Sequence, residues 1–346
     1  STMYPPFRAA TIGIDLDEHV LGLLYPAISS YVGGDIVAGI MGTGLYREDE
    51  LTLFLDIGTN AEIVLGNRDV VYAASSPTGP AFEGAQISSG QRATTGAIER
   101  VRIDPATLEP KLRVIGIDAW SDDPEFAVAA RTIGVSGICG SGIIDVVAEM
   151  FLSGVIDRNG VIDGSLAERS SRVVADGRTH AYVLWERGDE RITITQNDVR
   201  AIQLAKAALR AGIDLLVERA GFPHIDDVRL AGAFGAHIDP VRAMVLGLVP
   251  DCPPANVRSV GNAAGTGAVQ SLLSRAMRLE MESVTHDIVK IETATEPRFQ
   301  ELFVAAMALP HATVETPHLA EVVDLPIAST APEGSSRRRR RRGAPT

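Results

Sequence analysis

Cysteine is nearly absent from this 346-residue sequence, which contains only Cys139 and Cys252. So small a number excludes a disulfide-stabilised scaffold, and one chain cannot supply the four thiolates that usually hold an iron–sulfur cluster. The seven histidines are scattered, and none shows the HExxH spacing of zinc enzymes. We therefore expect neither an iron–sulfur cluster nor a zinc site to be built by this chain alone.

Long apolar runs and a secretory leader are also missing. No stretch of about 18 apolar residues occurs, and the N-terminus lacks a signal-peptide pattern. We therefore expect a cytoplasmic protein without a membrane partner. Aromatic residues make up only 5% of a chain that is 45% hydrophobic and contains 33 glycines. This composition favours a soluble α/β enzyme over a β-sandwich or a coiled coil.

The charge balance is acidic, with a formal net charge of −12. This value includes six consecutive arginines, Arg337–Arg342, so the rest of the chain is more acidic still. An acidic body argues against a nucleic-acid partner. The arginines follow a stretch rich in Pro, Gly and Ser, which is typical of a disordered, solvated tail, and weak binding of polyanions is the alternative.

The most informative segment is a strand followed by a turn of small residues. The apolar run Leu51–Leu55 predicts a strand that ends at Asp56, and Gly58, Thr59 and Asn60 follow it. A carboxylate beside exposed backbone N–H groups is suited to a metal-bound polyphosphate. In a dinucleotide site the glycine loop would open a helix, whereas here a second apolar, β-branched run predicts a hairpin. A purely structural hairpin turn is the alternative.

Other elements can be predicted from local signals. Thr195 is a candidate N-cap for a long helix that reaches Ala220, and the glycine-rich segment Gly137–Gly142 is expected to open a helix that ends near Leu152. Strands are predicted near residues 112–118 and 131–135, and a last helix over Pro297–Met307.

Four motifs occur in an order that resembles the actin/Hsp70/sugar-kinase superfamily, in which two lobes of similar α/β topology close over ATP. They are a first connecting helix at Val32–Ile40, a second phosphate loop at Asp56–Asn60, an adenosine motif at Ala231–Gly235 and a second connecting helix at Gly261–Gly267. The resemblance implies an α/β fold of actin-like, ribonuclease H-like lobes with a mixed sheet and flanking helices. It also implies ATP and Mg²⁺ as cofactors.

The amino-acid sequences of several motifs resemble those of the C-terminal ATPase domain of reductive activators of corrinoid proteins. The matching segments are Leu55–Asn67, Gly79–Ile87, Gly137–Gly142 and Glu292–Gln300, and the resemblance covers roughly residues 25–312. In that family a [2Fe–2S] domain carries the electron, and ATP-dependent conformational change drives reduction of Co(II) to Co(I) on a partner. The resemblance implies an ATP-binding domain in this activation, with a corrinoid (cobalamin) protein and a [2Fe–2S] domain or polypeptide as partners. We also expect a homodimer.

The sequence departs from the family in two ways. It has no cysteine set for a [2Fe–2S] cluster, and it lacks an upstream Asp-Ile-Gly-Thr-Thr phosphate loop, for which Gly13–Asp17 is a poor substitute. We therefore expect a fragment, or one polypeptide of a split system, whose full activity needs parts absent from this chain. The expected organisation is an irregular segment over 1–25, a nucleotide-binding domain over 26–312 and a disordered tail over 313–346.

The resemblance also implies roles for individual residues. Asp56 would hold Mg²⁺ and act in catalysis. Glu83, in a glycine-dense loop, is a candidate general base or water-orienting group, with a loop salt bridge as the alternative. The residues expected to bind the nucleotide are Gly58, Thr59, Asn60, Gly137, Gly140, Ser141, Gly142, Gly232, Ala233, Phe234, Gly235 and Gly261. Close packing or helix capping is the alternative for the glycines outside the Asp56 turn.

Two other functions fit the same residues. One is a small-molecule kinase of the same superfamily, acting on a sugar or carboxylate, with Glu83 or Asp35 as the base. The other is a non-catalytic dimerisation or docking module. ATP consumption that depends on a small acceptor would indicate the kinase, and association without any nucleotide effect would indicate the docking module.

Overall fold

In the computed structural model, the described residues are 4–29, 31–221, 224–232 and 237–326. The strands are β1 (Phe7–Arg8), β2 (Leu21–Gly22), β3 (Thr52–Ile57), β4 (Ala61–Gly66), β5 (Val71–Ser76), β6 (Ala97–Ile103), β7 (Pro110–Val114), β8 (Gly137–Ile138), β9 (Val173–Asp176), β10 (Thr179–Arg187), β11 (Glu190–Thr195), β12 (Asp227–Ala231), β13 (Val257–Gly261) and β14 (Val289–Lys290). The helices are α1 (Gly34–Thr43), α2 (Pro124–Ile133), α3 (Gly140–Leu152), α4 (Gln196–Ala220), α5 (Pro240–Leu246), α6 (Ala263–Leu273), α7 (Arg275–Asp287), α8 (Phe299–Ala305) and α9 (Pro317–Ala320).

A six-stranded mixed sheet forms the centre of the fold, in the order β13-β12-β3-β4-β5-β14. Strands β3, β4 and β5 form an antiparallel meander, β12 pairs in parallel with β3 and with β13, and β14 pairs in parallel with β5. This arrangement has the ribonuclease H-like pattern. The predicted mixed sheet with flanking helices is therefore confirmed.

Alternate residues of β3 face two different cores. Leu53 and Leu55 belong to the core that contains Ile213 of α4, whereas Phe54 packs with Ile36 of α1 on the other face. Successive side chains of a strand point to opposite faces, so a strand covered on both faces is apolar along its whole length. This explains why the three residues before Asp56, Leu53 to Leu55, are all apolar.

The long helix predicted over residues 195–220 is confirmed as α4. Its first turn is a capping box, in which the Thr195 hydroxyl accepts from the Asp198 N–H and the Asp198 carboxylate accepts from the Thr195 N–H. Gly221 ends the helix in the left-handed conformation, with φ of 68°. Within α4, Gly212 admits the side chain of Ile63, because a Cβ there would lie 2.5 Å from Ile63 Cδ1.

The two segments that resemble connecting helices pack against each other as α1 and α6. A Cβ at Gly267 would overlap the carbonyl oxygen of Ala38, and a Cβ at Gly42 would lie 2.6 Å from the carbonyl oxygen of Ala263. The two helix backbones therefore touch, which the small residues of both segments make possible.

The region between β5 and α4 contains a β7-β6-β8 sheet, a β11-β10-β9 sheet and the buried helix α3.

The predicted strand at 131–135 is wrong, because helix α2 covers most of it. Asp123 is the N-cap of α2 and Pro124 is its first residue, a favoured helix start. The strand predicted near 112–118 is confirmed only in part, because β7 ends at Val114.

Both ends of the described chain carry structure. Residues 1–25 were expected to be irregular. Within them, the two-residue strands β1 and β2 pair in antiparallel, and the segment that joins them begins with a 3-10 helix. At the other end, the boundary predicted at residue 312 is wrong for residues 313–326, because α9 buries Leu319 completely. The carboxylate of Asp251 accepts the backbone N–H groups of His318 and Leu319 and holds α9 in place.

The arginine run Arg337–Arg342 lies outside the described residues. Among the described residues, no helix is both long enough and apolar enough to cross a membrane.

Candidate functional site

Several of the predicted site residues lie at one edge of the central sheet. Asp56 of β3 pairs with Ala231 of β12, and Ala231 pairs in turn with Gly261 of β13. Because these three strands are parallel, their carboxyl ends meet at the same edge, where open α/β sheets bind ligands. The fold therefore brings Asp56, Gly232 and Gly261 together.

Gly232 fits tightly against the β3 end. A Cβ at this position would lie 2.9 Å from Oδ1 of Asp56 and 2.7 Å from the carbonyl oxygen of Ile57, and φ is +95°. Gly261 also has positive φ, +62°, but its Cβ would meet open space. Space and conformation both require glycine at 232, whereas conformation alone favours it at 261. The predicted residues Ala233, Phe234 and Gly235 lie outside the described residues.

The carboxylate of Asp56 has no hydrogen bond or ion pair among the residues that the structure describes. Burial raises its pKa, and the nearby charge of Asp35 raises it further. Glu62 lies opposite Asp56 on β4, and burial, together with Asp35 and Asp56, raises the pKa of Glu62 to about 7. Ser75 donates a 3.4 Å hydrogen bond to this side chain. The charges of Asp35, Asp56 and Glu62 thus repel one another, and a cation nearby would relieve that repulsion.

A metal ion at this place would not be enclosed by the protein. Within the described ranges, no group of three or more His, Cys, Asp or Glu side chains is positioned to hold a metal. Mg²⁺ commonly binds through one or two carboxylates and completes its octahedron with water and phosphate oxygens. The half-buried, unpaired Asp56 fits such a role.

The turn after β3 presents backbone donors beside Asp56. Gly58 N–H donates to the Asn60 carbonyl at 2.9 Å, and the carbonyls of Gly58 and Thr59 both accept from the Thr78 hydroxyl at 3.1 Å. Thr59 and Asn60 are exposed. Their own N–H groups have no acceptor in the described part of the chain. The turn therefore offers two free amides to an anion.

Glu83 also reaches this turn. The Thr59 hydroxyl donates to Oε1 of Glu83 at 2.9 Å, and Glu83 is exposed to solvent. A Cβ at Gly58 would lie 3.8 Å from the same oxygen. The structure thus brings Glu83 to the turn that follows Asp56.

The predicted loop at the start of α3 has its contacts elsewhere. The Ser141 hydroxyl donates to the Glu99 carbonyl at 3.2 Å, and Gly142 lies against the Ile98 carbonyl of β6. A Cβ at Gly137 would lie 2.7 Å from the Ser89 carbonyl, and Gly140 is buried. Close packing accounts for these small residues, and a nucleotide contact for Gly137, Gly140, Ser141 and Gly142 stays a prediction.

Sequence reasoning missed Thr78 and did not place Asp35 beside Asp56. The signal for Thr78 lies in the two successive hairpins. Because β5 runs in the same direction as β3, its last residues return to the edge that carries Asp56. Polar residues just after β5 are therefore expected near the phosphate turn.

Comparison with known proteins supplies an independent finding. A family model described as the C-terminal domain of RACo, the ASKHA domain, matches residues 50–320. A second model, described as the RACo middle region, matches residues 1–48.

Similar proteins carry related names. The corrinoid activation enzyme RamQ of Eubacterium limosum is 37% identical over 289 residues, covering 80% of this chain and 46% of that protein. A [Co(II) methylated amine-specific corrinoid protein] reductase of Methanosarcina barkeri is 30% identical over 237 residues, covering 65% of this chain and 39% of that protein.

Among solved structures, one described as a reductive activator for corrinoid, iron–sulfur protein has a TM-score of 0.77 and 37% identity. The match covers 89% of this chain and 48% of that one. The chain thus spans less than half the length of these similar proteins.

Proposed function

This chain belongs to the family of the RACo C-terminal ASKHA domain, and from that premise we propose that it binds Mg²⁺-ATP and couples nucleotide state to conformational change in the reductive activation of a corrinoid protein. The observation that carries the proposal is the Asp56 carboxylate beside the amides of Thr59 and Asn60, none of which has a hydrogen-bonding partner among the described residues. One group suits a cation and the others suit an anion, so together they suit a metal-bound polyphosphate.

The proposed division of labour follows the contacts. Asp56 holds Mg²⁺ directly or through water, and Mg²⁺ neutralises phosphate charge that would otherwise be repelled by Asp35 and Glu62. The amides of Thr59 and Asn60 bind phosphate oxygens. Gly232, which has no side chain, leaves the space beside Asp56 open to the nucleotide. Glu83, held by the Thr59 hydroxyl, is placed to orient water at the phosphates.

The remaining parts of the reaction are assigned to partners. The described residues and the two cysteines provide no electron carrier. We therefore propose that a separate [2Fe–2S] domain or polypeptide donates the electron and that the cobalt of a corrinoid protein accepts it. We propose a cytoplasmic homodimer as the working form. Closure around the nucleotide would transmit its state to the docked corrinoid protein.

The test measures association with a corrinoid protein as a function of nucleotide. Co(II) forms of corrinoid methyl-transfer proteins, including the methylated amine-specific one, are immobilised, and binding of this chain is recorded without nucleotide, with Mg²⁺-ADP and with Mg²⁺-ATP. We expect the affinity to change several-fold between nucleotide states, and Asp56→Asn to abolish that change.

Association that ignores nucleotide would contradict the coupling and support a docking module instead. ATP consumption that requires a small hydroxyl or carboxylate acceptor would support the kinase.

A further inference from the structure

Thr78 is a buried threonine whose hydroxyl is fully engaged by the phosphate turn. It is 5% exposed, and its Oγ1 lies 3.1 Å from both the Gly58 and the Thr59 carbonyl oxygens. One hydroxyl therefore holds two successive peptide groups of the turn.

The geometry of the peptide group determines where the N–H groups of the turn point once its carbonyls are fixed. The peptide bonds at this turn are trans, so each N–H points away from the carbonyl of the same peptide plane. With the Gly58 and Thr59 carbonyls directed at Thr78, the Thr59 and Asn60 N–H groups face the other way. Both residues are exposed, so the two amides are accessible to an anion from solvent.

The support beneath Thr78 is rigid. Just before it, the Ser76 hydroxyl donates to the Ala208 carbonyl of α4 at 2.6 Å, and the Thr293 hydroxyl donates to the Ser75 carbonyl at 3.0 Å. The end of β5 is therefore fixed to two other parts of the fold. The buried Thr78 is therefore held by more of the fold than the exposed turn that it contacts.

We propose that Thr78 is a positioning residue that presents the amides of Thr59 and Asn60 to the phosphates of the nucleotide. The inference rests on the proposed function and deepens it, since Thr78 itself touches no ligand. Without its hydroxyl, both carbonyls lose their partner, and water can reorient the two peptide planes.

The test compares Thr78→Val, which removes the hydroxyl but keeps the shape, with Thr78→Ser, which keeps the hydroxyl. Mg²⁺-ATP affinity is measured by calorimetry on the full chain. Thr78→Val should weaken binding about tenfold, and Thr78→Ser should restore it to within about threefold of the unmutated chain. The matched control is Thr285→Val, at a threonine that is 3% exposed and whose hydroxyl donates to the Met281 carbonyl at 2.7 Å in α7. The control should leave the affinity unchanged.

A second measurement does not depend on a variant folding. In amide NMR spectra of the unmutated chain, Mg²⁺-ATP should shift the Thr59 and Asn60 resonances strongly. Thr78→Val binding with unchanged affinity would overturn the inference alone and leave the proposed function standing. Shifts that spare both amides would overturn the inference and would also remove Thr59 and Asn60 from the proposed phosphate site. No binding by the unmutated chain would remove the proposed function and this inference together.

Discussion

Gly232 lies so close to Asp56 that a Cβ atom at position 232 would stand 2.9 Å from Oδ1 of the carboxylate. Gly232→Ala should therefore displace Asp56 and weaken Mg²⁺-ATP binding at least tenfold. The variant should also lose about 2–3 kcal/mol of unfolding free energy, because alanine is strained at φ of +95°. Calorimetric titration and urea unfolding measure the two effects.

Gly134→Ala is the matched control for this prediction. Gly134 has a similar φ of +84°, yet its Cβ would meet nothing within 4 Å. The control should lose stability through backbone strain while keeping its nucleotide affinity. Equal affinities for both variants would mean that the contact between Gly232 and Asp56 does not shape the site.

The crossing of α1 and α6 yields a prediction about stability. Gly267→Ala should cost about 2–3 kcal/mol of unfolding free energy, because its Cβ would overlap the Ala38 carbonyl and the two helices must separate. Gly265→Ala, in the same helix, would meet only the side chain of Asn262, the N-cap of α6. Losing that cap costs about 1 kcal/mol, which the better helix propensity of alanine offsets. Similar unfolding curves for both variants would contradict the close crossing.

The fully buried Asp145 predicts a pH dependence of stability. Burial raises its pKa to about 6, while Arg102 and Arg100 oppose the rise and Asp239 adds to it. Because the folded state binds this proton more tightly than the unfolded state, the stabilisation is present below about pH 4 and is lost as the pH rises to about 6. Asp145→Asn removes the effect. The stability of this variant relative to the unmutated chain should therefore increase with pH over that window, by about 1.4 kcal/mol per unit of pKa difference.

Asp104 provides a control of opposite sign. This exposed carboxylate accepts hydrogen bonds from the backbone and hydroxyl of Thr107, which lower its pKa. Its stabilisation is present at neutral pH and is lost as the pH falls. The free energy of unfolding of Asp104→Asn relative to the unmutated chain should therefore be most favourable in acid. Chemical unfolding of the three proteins between about pH 2 and pH 7 checks both slopes, since the Asp104 effect lies below about pH 4 and the Asp145 effect above it. Parallel stability curves for Asp145→Asn and the unmutated chain would contradict the raised pKa.

The sequence was most informative where the signal was local. The capping residues Thr195 and Asp198 mark the start of α4, and the apolar, β-branched run after Asn60 marks the hairpin that distinguishes this phosphate loop from a dinucleotide fold. In contrast, the β-branched residues near Ile133 suggested a strand, although the Asp123-Pro124 start places them in a helix. A helix start outweighed the local β-propensity there.

Glycine-rich segments were harder to tell apart. Gly142 and Gly232 stand in similar runs of small residues, yet one lies against the Ile98 carbonyl of a neighbouring strand and the other against the Asp56 carboxylate. What a Cβ would meet depends on tertiary contacts that spacing along the chain does not reveal. The link between Thr78 and the Asp56 turn was missed for the same reason, since it arises from the common direction of β3 and β5.

The proposed function depends most on the Asp56 carboxylate, which has no partner in the part of the chain that the structure describes. Burial and Asp35 raise its pKa, so its charge destabilises the nucleotide-free protein. Asp56→Asn removes that charge while nearly keeping the shape of the side chain. The variant should therefore unfold at the same temperature as the unmutated chain or a higher one, despite losing its metal ligand.

Calorimetric titration of ATP into the unmutated chain and into Asp56→Asn, each with Mg²⁺ and with EDTA, is the most direct measurement. We expect the unmutated chain to bind ATP only when Mg²⁺ is present, and Asp56→Asn to bind at least tenfold more weakly without loss of thermal stability. Equal affinity of the two proteins for Mg²⁺-ATP, or no binding by the unmutated chain, would contradict the assignment of this sheet edge as a nucleotide site.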